Sequence, residues 1–272
     1  MTFDAMEGSI DGGAPVTLFK FTNGTQNFTY TNHVRPITYE SLVYEPLAIK
    51  TGNITSSGDM SKNQLKIDID RNCDLAELLR GAPPSKSIAV VLYDGHLSDP
   101  DEEFIVSWSG IVLGSSRTKS TFTITCDSVT AAIRGLGLGI DWMLTCPYVL
   151  YDTFCTASKA SATVNTAPTV VSGNNITLPG GWRGVIDVSK YLHGIVEWTG
   201  GSGSEVRRII KVDGETLTLR GSPIDISVGQ SVNVILGCNH QQTDCADLHS
   251  NIVNFGGQPN IPTDNPTNNN DF

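Results

Sequence analysis

The sequence predicts a mainly β protein made of two β-rich domains, each resembling a barrel or a sandwich. The chain has 272 residues, enough for one large or two modest domains that bury their own cores. It is 39% hydrophobic and 17% charged, with 27 Gly and 13 Pro. The apolar residues form short bursts rich in Val, Ile, Thr and aromatic residues, whereas helices would show stripes of longer period. We expect a domain boundary at Ile140.

The charge distribution argues against nucleic-acid binding. The net charge is −10, with 11 basic and 16 acidic residues up to Ile140 and 7 and 12 after it, so neither half forms a basic patch. The sequence contains no run of about 18 apolar residues, so we expect no membrane span. The first residues lack the pattern of a secretory signal. We therefore expect folding in a reducing cytosol, where six cysteines are thiols, some metal-bound, rather than three disulfides.

The first domain, residues 1–140, is predicted from strand-like segments. Residues 36–50 contain β-formers interrupted by two prolines, which is typical of edge strands. Residues 64–70 alternate apolar and polar side chains, as a half-buried strand does. A short helix is expected at 74–79. Three further strands are expected at 87–93, 103–113 and 121–126.

A second short helix is predicted to start at Asp127 or Ser128 and to run to the glycines at 135, 137 and 139. These glycines are the candidate linker. They do not form a dinucleotide fingerprint, because no parallel strand and crossover helix surround them.

The second domain, residues 141–261, is predicted to be a small β-barrel or sandwich. A compact element at 146–155 is followed by short strands between 176 and 236. The clearest is a hairpin at 209–219, in which Asp213-Gly214 is expected to supply the two turn residues. Residues 262–272 are rich in Asn and Pro and are expected to form a flexible tail.

Two of the six cysteines are predicted to be core residues. Cys126 is in phase with Phe122 and Ile124 on the apolar face of a strand, and free cysteine behaves as a small hydrophobe. Cys73 precedes the first short helix, where no second cysteine or histidine lies nearby as a partner ligand.

The other four cysteines form two pairs, Cys146-x8-Cys155 and Cys238-x6-Cys245, separated by the predicted strands of the second domain. Two pairs that flank a closed domain could bring four thiolates together where its ends meet, as zinc or a cubane iron–sulfur cluster requires. Neither pair has the spacing of a zinc ribbon or of a ferredoxin. From the spacing alone, a metal site and four unrelated structural thiols are both open.

Several segments of the second domain resemble the C-terminal module of phage tail-tip and gene-transfer-agent hub proteins, including the lambdoid tail-tip proteins. They are Leu150-Tyr-Asp-x-x-Cys155, the segment from Gly194 to Arg207, the segment from Gly229 to Cys238, and Cys245 with Asn251-x-x-Asn-Phe-Gly-Gly-x-Pro-x-Ile-Pro262. Residues 1–140, with Tyr44-x-Pro-Leu-Ala, resemble the N-terminal hub domain more loosely. Asn239 and Gln258 differ from the residues usual at these positions of the module, but neither position is one of the four cysteines.

This resemblance implies a structural virion protein that closes the tail tube at the tail tip, or baseplate hub, after assembly in the bacterial host cytoplasm. It implies a [4Fe-4S] cluster, with zinc as the alternative, bound by Cys146, Cys155, Cys238 and Cys245. The implied partners are identical subunits in a ring, expected to be a trimer, together with a distal tail protein, a tape-measure protein and a central fibre or receptor-binding protein.

Two other functions are open alternatives. A tail-associated peptidase, or a redox protein using the cluster, would be an enzyme, but none of the histidines at 33, 96, 193, 240 and 249 lies in a nucleophile signature. A zinc-stabilised adhesion module could use His240 or His249 in place of a thiolate, although both are expected to be exposed loop residues. The acidic run 99–103 is interpreted as a solvated turn rather than a calcium loop. We therefore expect no catalytic activity.

Overall fold

The computed structural model describes residues 3–9, 13–54, 64–80, 83–119, 121–129, 139, 142–201 and 203–261. Contacts divide the chain into two compact units, Met1–Gly135 with Gly201–Gly203, and Leu136–Gly200 with Ser204–Phe272. Each unit contains its own sheet, so the expected mainly β class is confirmed. The boundary expected at Ile140 and the tail expected at 262–272 lie outside the described residues. Within the described part, no helix is long and apolar enough to cross a membrane.

The first unit is built on a nine-stranded sheet. Its strands are β1 (Pro15–Asn23), β2 (Gln26–Thr31), β3 (Ile37–Tyr39), β4 (Leu42–Pro46), β5 (Lys50–Thr51), β6 (Leu65–Ile69), β7 (Ala89–His96), β8 (Phe104–Arg117) and β9 (Phe122–Ser128). Two short helices, α1 (Phe3–Glu7) and α2 (Asp74–Arg80), accompany them. The strand order is β3-β4-β2-β1-β7-β8-β9-β6-β5. The β2–β4 pair is parallel.

Most predicted elements of this unit are present. Strands β3 and β5, from the segment interrupted by prolines, are the two edges of the sheet. The alternating segment forms β6, whose Leu65, Ile67 and Ile69 are buried. Helix α2 follows as expected and packs Leu75 and Leu79 into the same core.

The structure differs from the prediction at two places in this unit. The β1–β2 hairpin was not predicted; Asn23 pairs with Gln26 across a two-residue turn, and Gly24 has a φ of 60°. The helix expected from Asp127 or Ser128 does not begin there. Both residues continue β9 and pair with Ile111 and Gly110, because the long partner strand β8 offers them backbone partners. Residues 130–138 lie outside the described residues.

The second unit is built on a seven-stranded sheet. Its strands are β10 (Thr163–Thr166), β11 (Val170–Ser172), β12 (Asn175–Thr177), β13 (Ile195–Gly200), β14 (Gly203–Asp213), β15 (Thr216–Leu219) and β16 (Val232–Ile235). Their order is β10-β16-β13-β14-β15-β12-β11. Two 3-10 helices, Val188–Tyr191 and Ile252–Asn254, and a π-helix, Asp244–Leu248, complete the described elements.

The hairpin predicted in this unit is present with a turn shifted by one residue. Asp213 pairs with Thr216 as the last residues of β14 and β15, so the turn is Gly214-Glu215 rather than Asp213-Gly214. Only Gly214 of the two expected turn residues has a positive φ, at 55°. The apolar faces of these strands enclose a core that includes Tyr191, Ile209 and Leu217.

Candidate metal centre

The register between two strands brings the two cysteine segments to the same end of the second sheet. Thr163, at the start of β10, pairs with Ile235, at the end of β16, in an antiparallel ladder. A further bond, from Leu236 N–H to the Ala162 carbonyl oxygen (3.1 Å), extends this pairing outward. Chain that precedes β10 and chain that follows β16 therefore emerge side by side. The first cysteine pair lies in the former and the second pair in the latter.

All four cysteines of the two pairs line one pocket. Cys146 and Cys155 contribute from the first segment, and Cys238 and Cys245 from the second. Cys155 and Cys245 are buried, whereas Cys146 and Cys238 are half-buried. The remaining lining residues are Tyr148, Leu150, Ala157, His240, Gln241, His249, Asn251, Asn254 and Phe255. Side chains remote in sequence are thus assembled around one small space.

His240 connects the two segments. Its carbonyl oxygen accepts a hydrogen bond from Cys146 N–H (2.9 Å), and its ring Nδ1 lies 2.9 Å from the Cys146 carbonyl oxygen. Its own N–H donates to Cys238 Sγ (3.3 Å). The residue has a φ of 61°, a conformation uncommon for residues other than glycine. In this conformation His240 contacts both Cys146 of the first pair and Cys238 of the second pair.

Cys245 lies in the π-helix, which an ion pair attaches to the rest of the unit. Lys190 Nζ donates to Asp244 Oδ1 (2.7 Å), and the buried Asp244 also accepts from Asn239 N–H (3.2 Å) through Oδ2. Lys190 belongs to the 3-10 helix that precedes β13. The chain between the two second-pair cysteines is therefore held at both ends.

Close backbone packing holds the same region together and requires glycine. A Cβ on Gly237, the residue before Cys238, would lie 2.0 Å from the Leu192 carbonyl oxygen. A Cβ on Gly256 would lie 2.5 Å from the Tyr148 ring. The Phe-Gly-Gly segment consequently lies against the first cysteine segment, and Phe255 lines the pocket.

Burial and mutual proximity disfavour charge on the second-pair thiols. Burial raises the pKa of Cys238, and the charge of Asp244 and then the Cys155 and Cys146 thiols add to the rise, while the His240 N–H opposes it. Burial likewise raises the pKa of Cys245, again with contributions from the other three thiols. A bound cation reverses this preference because it stabilises the thiolate.

The donor set fits a thiophilic metal group. Four thiols and two imidazoles line the pocket, and no carboxylate is among the described residues that line it. Thiolates are the ligands of iron–sulfur clusters and of structural zinc. Across the described ranges, no three His, Cys, Asp or Glu side chains are grouped as a site for a single metal ion. Ligation by the four cysteines therefore stays a prediction.

The other two cysteines lie in the core of the first unit, as predicted. Cys126 is fully buried on β9, and burial raises its pKa to about 12. Cys73 is buried beside α2, where burial raises its pKa too. Both belong to one apolar cluster with Phe122 and Ile124.

The expectation that His240 and His249 are exposed loop residues is wrong. Both are half-buried and line the cysteine pocket, and His249 Nε2 lies 2.9 Å from the Gly237 carbonyl oxygen. His249 also contacts the Tyr151 ring edge-on. The sequence signal that could have placed them is their position beside Cys238 and Cys245.

The remaining histidines lie in unrelated surroundings. His33 bonds locally to Arg35, His96 pairs with Glu7 at 2.8 Å in the first unit, and His193 occupies a left-handed turn before β13 with a φ of 66°.

Comparisons with known proteins connect this fold with phage-type particles. Residues 189–265 match the family model described as "Phage conserved hypothetical protein BR0599". A chain of the solved virion of a native gene transfer agent particle matches with a TM-score of 0.75 and 19% sequence identity. That match covers 97% of this chain and 93% of the virion chain. No curated protein gives a significant sequence match. At this identity the likeness demonstrates a shared fold.

Proposed function

We propose that this chain is a structural protein of a phage-type virion and serves as the hub of the tail tip. In this role it closes the tail tube as a ring of identical subunits, a trimer. A distal tail protein lies above it, tape-measure termini lie inside, and a central fibre or receptor-binding protein lies below. Support comes from the family model over residues 189–265 and from the fold shared with a virion chain over nearly the whole sequence.

We further propose that Cys146, Cys155, Cys238 and Cys245 bind a [4Fe-4S] cluster. The observation that carries this proposal is the convergence of four cysteines, from two distant segments, on one pocket. When bound, the cluster supplies cross-links between thiolates. Because its binding free energy adds to the free energy of folding, it stabilises segments that have little regular structure of their own. The protein's residues position the thiols through His240, the Lys190–Asp244 pair and the glycine contacts.

Exposed apolar side chains on these same segments support a role in assembly. Trp142 is 82% exposed and Val253 is 92% exposed, and Phe154 and Val149 are exposed as well. Exposed large apolar side chains can take part in protein–protein contacts. These residues flank the cysteines in sequence, and we propose that they contact other virion proteins.

The test is metal analysis of the full chain purified without oxygen. A cluster gives a brown protein with broad visible absorption and matched amounts of iron and sulfide. Particle imaging with an antibody against this chain should place it at the tail tip. Colourless protein with neither iron nor sulfide would overturn the cluster, and labelling elsewhere on the particle would overturn the hub position.

A zinc-stabilised adhesion module is the second candidate, because two imidazoles line the pocket beside the thiols. It would give colourless protein with one zinc per chain. A tail-associated peptidase remains the enzymatic alternative, and we propose that the chain has no catalytic activity.

A further inference from the structure

Asn251 is the residue that joins the buried member of one cysteine pair to the buried member of the other. It follows the π-helix and is itself buried, with 9% of its surface exposed. Its N–H donates to the Cys245 carbonyl oxygen (2.8 Å), and its own carbonyl oxygen accepts from Cys245 Sγ (3.2 Å). Its side chain reaches the opposite segment, where Nδ2 donates to the Cys155 carbonyl oxygen and lies 3.9 Å from Cys155 Sγ.

The orientation of this side-chain amide is set by a neighbour. Asn254 Nδ2 donates to Asn251 Oδ1 at 2.7 Å, so the oxygen of the Asn251 amide faces Asn254. The N–H₂ group must then face Cys155, because an amide has its donor and acceptor on opposite branches. A donor is thereby directed at a sulfur and at the carbonyl oxygen of the same cysteine.

We propose that Asn251 is a positioning residue of the metal centre, which aligns Cys155 with Cys245 and donates a hydrogen bond toward the Cys155 sulfur. This inference rests on the proposed function, since it requires the four thiols to act as ligands. Outer partners that orient a ligand make the ligand set ready before the metal arrives. Asn254 acts through Asn251 by fixing its amide.

His240 and Asn251 divide this work between the two halves of the site. His240 links Cys146 with Cys238, and Asn251 links Cys155 with Cys245 through its side-chain amide and its backbone N–H. Each link crosses from the first cysteine segment to the second. Replacing the Asn251 side chain therefore keeps the His240 contacts with Cys146 and Cys238 but removes the hydrogen bond to Cys155.

The test uses Co²⁺ as a spectroscopic probe on the full chain, purified metal-free under reducing conditions. Absorption from sulfur-to-cobalt charge transfer reports how many thiolates bind, and competition with a chelator gives the affinity. Asn251→Leu should bind Co²⁺ about 10- to 100-fold more weakly than wild type, with weaker charge-transfer absorption. Asn254→Leu should show a smaller loss in the same direction, and Asn251→Gln, which keeps the donor, should recover part of it.

Asn233→Leu is the matched control. Asn233 also forms an amide pair, accepting from Asn165 Nδ2 at 2.9 Å, but it lies on strand β16 and does not line the cysteine pocket. It should leave cobalt affinity and spectrum unchanged. Thermal unfolding of each metal-free variant shows whether it is folded. Should Asn251→Leu not fold, Asn254→Leu decides the question.

Wild-type affinity and spectrum in folded Asn251→Leu, or in Asn254→Leu if Asn251→Leu does not fold, would overturn the inference. Iron and sulfide in the wild-type protein are measured separately. If they are absent while cobalt binding still depends on Asn251, the cluster proposal fails and the role of Asn251 stands. If wild type does not bind cobalt at all, the role of Asn251 falls, and the iron and sulfide content alone decides the cluster proposal.

Discussion

His240 and Cys146 bond to each other twice across the cysteine pocket, through backbone N–H to carbonyl and through the His240 ring, each at 2.9 Å. Only the second of these bonds needs the imidazole. The backbone bond keeps the segments adjacent, and the ring fixes their alignment.

His240→Ala should therefore weaken the metal centre without abolishing the fold. We expect a loss of unfolding free energy of about 1 kcal/mol, the usual net value of one hydrogen bond, together with slower or incomplete cluster loading. Calorimetry and iron analysis measure these effects. His33→Ala is the control, because the His33 ring bonds to the backbone of Arg35, two residues away. It should leave stability, iron content and infectivity unchanged; a loss of infectivity with intact tails would favour the enzymatic alternative.

Serine substitution should divide the six cysteines into four and two. Cys146, Cys155, Cys238 or Cys245 changed to Ser should abolish the brown colour and loosen the second unit. Cys73→Ser or Cys126→Ser should keep the colour and cost about 1–3 kcal/mol, because a hydroxyl replaces a thiol in a buried apolar cluster. Absorption spectra and thermal melts separate the two groups. Loss of colour in Cys126→Ser would contradict the ligand assignment.

Lys190→Met should destabilise the second unit by about 1 kcal/mol by removing the partner of the buried Asp244. The hydrogen bond and charge of Asp244 raise the pKa of Lys190 above its ordinary 10.5. Since the folded pKa is the higher one, the contribution is complete below 10.5 and is lost as pH rises through the raised value. Melting temperatures are measured at rising pH and at rising salt concentration. In both series the difference in melting temperature between wild type and variant should become smaller. A gap that is constant with salt would show that the charge plays no part.

Gly237→Ala should lower the free energy of unfolding by about 3 kcal/mol. The new methyl group would clash with the Leu192 carbonyl oxygen, which belongs to the backbone and cannot move aside as a flexible side chain can. The displacement would fall on Cys238, the next residue, so cluster loading should drop as well. Gly180→Ala is the matched control, since a Cβ there meets no atom within 4 Å. Denaturant unfolding of the two variants should differ clearly; equal stabilities would refute the close approach.

Ring assembly is expected from the hub proposal, with three copies around one axis. Native mass measurement of the purified chain, or imaging of tails, determines the number of copies. A single copy per assembled tail would exclude the ring. Trp142→Ser provides a further check, because it should reduce incorporation into tails while leaving the folded chain and its colour unchanged.

Local patterns predicted the parts of the fold that depend on local physics. Leu65, Ile67 and Ile69 alternate because one face of β6 is buried, and that alternation is visible in the sequence. The β1–β2 hairpin carries a comparable turn signal in Asn23-Gly24. The turn at Gly214 was placed one residue early, because the sequence does not specify which strand residues pair.

The candidate site depends on pairing between strands that are far apart in the sequence, and local sequence patterns do not predict which distant strands pair. Cysteine pairs at the two ends of the strand region suggested where the ends meet. The contacts of His240 and Asn251 required knowing that β10 pairs with β16. The same holds for His249, which contacts Tyr151 of the other cysteine segment.

The Thr163–Ile235 pairing also determines how the second unit responds to mechanical force. Because the chain before β10 and the chain after β16 leave the sheet at the same end, tension applied to these two stretches acts in the unzipping direction. It reaches the bonds between the cysteine segments before it reaches any strand ladder. In a single-molecule experiment that pulls on the chain before β10 and the chain after β16, the bonds between the cysteine segments bear the load first. The seven strands come under load only after these bonds break.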